Sequence, residues 1–263
     1  MDKIQVIILK EWAELFKNRF VLFAVAFLPI IFTILPLGIL YAMQSSGDLN
    51  GEIPFDGPQR FLEFCSGLDG GECMQFFIIS QFMLLFMMLP VLIPITIASY
   101  SIVGEKTTRT LEPVLATPIS TLELLAGKAL AGILPAMLAS WAGFLIFAVG
   151  TRLMTGGPEV SAKLFDPLWL LAVFVVGPLL AVAAVSVAVM VSSRTNDPRV
   201  AEQLSMLVLI PLLGLFFGQV TGYIFLNETL ILWMALGLVV IDAGLLYFAT
   251  QLFQRETILT RWK

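Results

Sequence analysis

Apolar residues in this chain come in long, uninterrupted runs. A helix needs about 20 apolar residues to cross a hydrocarbon core. Six segments are long enough: 20–43, 74–103, 129–151, 167–193, 203–227 and 229–250. None shows the polar–apolar alternation of barrel strands, so each predicts a helix, whose backbone groups are satisfied within the segment. The expected fold is an all-α membrane protein, a single transmembrane domain over 1–263. The first run starts late, is longer than the apolar part of a signal peptide, and lacks an A-x-A site near its end. It reads as a retained span.

Two polar stretches carry patterns of their own. In 1–19, Ile4, Ile7, Ile8, Trp12, Leu15 and Phe16 recur at helical spacing, with Lys3, Lys10, Glu11, Glu14 and Lys17 filling the remainder. This predicts an amphipathic helix in the membrane interface, with Trp12 at headgroup depth; the alternative is an extension of the first span. The loop 104–128 reads GEKTTRTLEPVLATPISTLELLAGK. Thr110 can cap a short helix with Pro113 in its first turn and Leu111, Val114 and Leu115 on one face. Thr117-Pro118 ends that helix, and Ser120-x-x-Glu123 is a capping box for the next. A reversal between spans takes only a few residues, so this loop predicts a docking element. Asp197-Pro198 is a cap signal for the fifth span.

Composition agrees: 59% of residues are hydrophobic and 13% charged, against about 25% charged in soluble domains. Of fifteen Lys and Arg residues, only Arg60, Arg152 and Lys163 fall on one side of the six-span topology. The other twelve flank the opposite side, which places both termini and 104–128 in the cytoplasm. The chain would then be a multi-pass protein of the cell membrane, its basic tail anchored among membrane lipids. The outward segments 44–73, 152–166 and 228 hold nine acids, Asp48, Glu52, Asp56, Glu63, Asp69, Glu72, Glu159, Asp166 and Glu228, so the net charge of −4 needs no special partner. No long basic tract marks a nucleic-acid surface. With no His and two Cys, no His/Cys zinc site and no His-dependent nucleophile is expected, and no metal site is assigned. Gly104-Glu105-Lys106-Thr107 and Gly127-Lys128-Ala129 echo a phosphate loop without completing one. The chain is therefore expected to be no enzyme and to hold no cofactor.

The loop resembles the cytoplasmic signature of type-2 exporter (ABC-2) permeases of ABC transporters. The resemblance rests on Glu105, Lys106, Thr110-Leu111-Glu112, Leu115, Thr117-Pro118-Ile119-Ser120 and Gly127-Lys128, and extends to the interfacial "elbow" helix, the six spans and the basic tail. Thr107 stands where a second acid is common, and Thr108-Arg109 where a small residue is usual. The resemblance implies two permease copies or homologues paired in the membrane above two separate ABC ATPase subunits, which would hold ATP and magnesium. It makes the segment around Thr110–Thr117, with Glu112, Val114 and Pro118, the coupling helix. Glu105 and Lys106 would transmit the motion, and transport would run outward.

Several span residues are candidates for a pathway or for packing. Pro90 and Pro94 predict a kink in the second span, either a lever or an ordinary kink. Gly214, Gly218 and Gly222 recur every fourth residue and predict a flat stripe, at a subunit seam or inside one subunit. Gln81 and Gln219, with Gln75, either line a route or bond across helices. Asp242, the one charge inside a span, either contacts a cation or mobile helix or is a protonated or bonded structural group. Cys65 and Cys73 are either bridged or two free thiols. Two rival functions stay open: an ion-coupled secondary transporter using Asp242, and a non-transporting membrane scaffold.

Overall fold

The computed structural model describes residues 3–17, 19–45, 59–65, 68, 70–108, 110, 119–155 and 158–252. Among these the chain forms helices and no strand. Helix α1 (Lys3–Lys17) precedes α2 (Arg19–Ser45), the first span. The second span is α3 (Gly70–Phe86) followed by α4 (Leu89–Thr107), the third is α5 (Thr121–Met154). After α6 (Pro158–Ala162), the fourth span comprises α7 (Pro167–Leu171), a π-helical turn (Ala172–Val176) and α8 (Gly177–Arg194). The fifth comprises α9 (Pro198–Ser205) and α10 (Ile210–Val220), and the sixth is α11 (Glu228–Leu252). Six helical segments among the described residues are long and apolar enough to cross a membrane.

Helix starts follow the capping chemistry. Ser120 accepts from Glu123 N at 3.2 Å, while the Glu123 carboxylate accepts from Ser120 N at 2.7 Å, a complete capping box. Asp197 accepts from Arg199 N at 2.8 Å, and Asn227 from Leu230 N at 2.7 Å. The second span breaks at Met87 and Met88, because Pro90 has no N–H to bond the Phe86 carbonyl. Met88 N turns instead to Leu85 O at 2.9 Å. Gly177-Pro178 likewise follows the π turn, where the ladder has already been relaxed.

The second span is the axis of the bundle: its apolar window is 67% buried, against 12%, 17% and 11% for the first, fifth and sixth. Helix α4 packs on α5 and α8, and Gly177 lets α8 approach Pro90 and Met137. Phe86, Phe144 and Phe147 fill the centre, while Ile34, Trp233 and Val240 face outward. Exposed apolar residues of this kind belong to a chain whose solvent is lipid. At the end of the bundle opposite α1, Cys65 and Cys73 are joined in a disulfide that holds the short helix Gln59–Cys65 against α3.

Three sequence expectations are corrected here. The fifth span ends at Val220 rather than at 227. The glycine series is also not one stripe. Gly222 lies beyond the helix at φ 76° and forms its left-handed cap, with Gly222 N bonded to Gln219 O at 3.1 Å and Tyr223 N to Gly218 O at 2.9 Å. A Cβ on Gly218 would stand 2.8 Å from the Ile224 side chain, which folds back over it. A Cβ on Gly214 would meet nothing within 4 Å. Finally, Glu11 belongs to the buried stripe of α1 with Ile7, one turn away, while Phe16 is 65% exposed. The reason lies across the interface, where a lysine and a serine await the carboxylate.

Candidate functional site

The polar heart of the molecule lies where α1 crosses α4 and α5. Glu11, Glu105 and Lys128 are each about 5% exposed or less as side chains. Lys128 Nζ stands 2.7 Å from Glu11 Oε1, 2.8 Å from Glu105 Oε2 and 2.9 Å from Ser101 Oγ. Ser101 donates to Glu11, and Lys10, at the half-exposed edge, bonds Glu105. Two carboxylates therefore face one deeply buried ammonium, and Lys10 completes the charge balance. A buried charge is tolerated only when it is paired and hydrogen-bonded, and this cluster meets that condition with residues from three helices.

Local sequence explains the geometry. Ser101 and Glu105 are one turn apart on α4, so they share a face. Gly127 immediately precedes Lys128 and admits Ile7: a Cβ there would lie 2.8 Å from Ile7 Cγ2 and 2.9 Å from Ile7 Cβ. The glycine permits contact and the lysine fills the contact with charge. Trp12 adds a third tie, donating Nε1–H to Ala131 O at 3.1 Å. Its half-buried ring is thus held against α5.

The same end of α4 reaches two further spans. Lys106 Nζ donates to Ser193 O at 3.2 Å and Thr195 O at 3.1 Å, covering carbonyls that the C-terminus of α8 leaves unbonded. Thr96 Oγ1 donates to Glu202 of α9 at 2.6 Å. One half-helix is thereby bonded to α1, α5, α8 and α9.

The charges set a pH window. Burial by itself would raise the Glu11 carboxyl, but Lys128, Ser101 and Lys10 hold it below its ordinary 4.5. Burial alone would lower Lys10, yet Glu105, Glu11 and Glu14 hold it above its ordinary 10.5. The Glu11 contribution is complete above the unfolded value and lost as pH falls through the lowered one; that of Lys10 is complete below its unfolded value and lost as pH rises through the raised one. A spin label at the exposed Val6 should therefore report an equally immobile α1 between about pH 5 and about pH 10, with mobility rising outside those limits. A steady change within the window would contradict the assignment.

Other sequence candidates are dispersed. Thr110 N bonds Glu105 O at 3.1 Å. Leu111, Glu112, Val114, Leu115, Thr117 and Pro118 lie outside the described residues. Pro90 and Pro94 lie in α4, at the break and just beyond it. Gln219 Nε2 donates to Ser80 Oγ at 3.1 Å, while the Gln81 amide has no partner among the described residues. Asp242 is 5% exposed on α11, and neither carboxylate oxygen has a hydrogen-bond partner among the described residues. The buried roles of Glu11 and Ser101 were missed by the hydrophobic pattern. The Ile7–Glu11 spacing was the available signal.

Six apolar spans among the described residues, packed about the buried second one, with an amphipathic helix locked across their end, define an integral multi-pass membrane protein. Residues 5–247 match the model of the ABC-2 family transporter proteins, and the chain belongs to that family. It is an ABC-2 permease, a membrane component of transport. No curated protein matches the chain.

Proposed function

We propose that this chain is the membrane subunit of an ATP-driven exporter, paired with a second permease copy or homologue and driven by separate ABC ATPase subunits that hold ATP and magnesium. The termini and the 104–128 loop face the cytoplasm of the cell membrane, as the distribution of basic residues favours. The observation that carries the reading is the bonding of α4. The segment 111–118 follows directly from the end of that helix, and Glu105 and Lys106 tie the end to α1, α5 and α8. A partner that moved this segment would move a welded assembly rather than one loop. Rigid elements with two arrangements are what carry such coupling.

The test is co-purification with the ATPase subunit, followed by ATP hydrolysis and transport in liposomes. Replacing Leu111 and Leu115 together with Asp should release the ATPase or reduce transport-coupled hydrolysis by about tenfold, roughly 1.4 kcal/mol, without unfolding the spans. Full coupling in that double variant would remove the docking face from 111–118. A second reading, an ion-coupled carrier, is favoured by Asp242 alone, buried with two unpartnered oxygens. It requires transport without ATP and loss of ion coupling in Asp242→Asn.

A further inference from the structure

The disulfide end of the bundle contains a cavity of about 120 Å³ that plays no part in the coupling described above. Its walls are aromatic: Phe61 of the disulfide-pinned helix, Phe76 of α3, Trp169 of α7 and Phe225 of the turn after α10. Ser80 and Gln219 supply its uncharged polar lining. Gln219 is 2% exposed. It spends an amide N–H on Ser80 Oγ at 3.1 Å, and Ser80 in turn donates to Phe77 O at 2.7 Å. The Gln219 carbonyl oxygen accepts from no described residue. An amide oxygen buried without a donor is costly, by about 1–3 kcal/mol, and a ligand that brings a donor removes that cost.

We propose that this cavity is a binding site for a small, uncharged, hydroxyl-bearing apolar molecule, whose O–H bonds Gln219 Oε1 while its body packs among the four aromatic rings. The two lining charges offset each other. Lys163 lies with its ammonium 4.7 Å from the Phe76 ring centre, and Asp166 lines the same cavity. One lining group of each sign leaves no net charge to draw in an ion, so the aromatic walls and the amide set the preference for a neutral molecule. The disulfide fixes one wall, so the site is largely formed before the ligand arrives, as small-molecule pockets usually are. The site lies within one chain and stands independently of the ATPase-coupling reading.

The probe pair is phenol and toluene, matched in size and differing in the donor. Binding to the full chain in nanodiscs is measured by saturation-transfer NMR, with empty nanodiscs subtracted. Phenol should bind about tenfold more tightly than toluene, the effect of one recovered hydrogen bond. In Gln219→Leu the preference should fall to about one while toluene binding persists, which also shows that the variant is folded. Leu226→Trp, which adds bulk to the cavity lining while keeping Gln219, should weaken both probes. Equal binding of the two probes to the native chain would overturn the proposal. So would a phenol preference that survives Gln219→Leu, or binding indifferent to Leu226→Trp.

Discussion

Lys128→Met is expected to destabilise the protein by about 3–5 kcal/mol, the range for removing one partner from a buried ion pair. The loss comes less from the attraction removed than from what stays behind. Glu11 and Glu105 would face each other in a dry interface, with only Ser101 and the half-exposed Lys10 to compensate. Thermal unfolding in mild detergent measures the effect. The cluster account also predicts a rescue: adding Glu11→Gln and Glu105→Gln removes both stranded charges and should restore a large share of the stability. If Lys128→Met alone unfolds no more easily than the native chain, the cluster does not hold α1 in place. If the triple variant is worse than the single, the loss arises from packing and not from unpaired charge.

Gly127→Val should detach α1 from α5 through volume alone. Even the first added carbon would lie 2.8–3.1 Å from three atoms of Ile7; the Ile7 Cβ is fixed by its backbone, and β-branching leaves its γ carbons few other rotamers in a helix. Overpacking of this kind costs about 1–3 kcal/mol. The spans should stay folded while transport falls, because the tie at Lys128 moves with the helix. Ile7→Gly in the same chain removes all three of those atoms and should recover elbow docking, read by a cross-link between engineered cysteines on α1 and α5. A clean native cross-link in Gly127→Val, without the second change, would show that the contact is looser than the distances imply.

Both variants fall on the Gly127-Lys128 pair, and that pair shows how far the sequence could be read. As a motif it pointed to a family without giving a reason for its two residues. The structure supplies the reason: one residue makes room for Ile7 and the other pairs with two acids. Glu11 shows the opposite case. Its charge placed it on the solvent side of α1, and its position one turn after Ile7 placed it on the buried side. Position prevailed because Lys128 and Ser101 lie opposite. The glycines of the fifth span also looked like one feature on a helical wheel. The wheel assumes that the helix continues, and this helix stops at Val220.

Span number, helical form, the capping box at Ser120 and the break near Pro90 follow from the chain itself, because each depends on residues within one or two helical turns of each other. Local hydrogen bonding and the length of an apolar run need no distant partner. The charge cluster, the Lys106 cap on α8 and the orphaned carbonyl of Gln219 depend on which helices become neighbours. The members of the first come from positions 10, 11, 101, 105 and 128, and no periodicity links them. Only the packed bundle brings those charges within bonding distance, and only there does burial make their pairing matter.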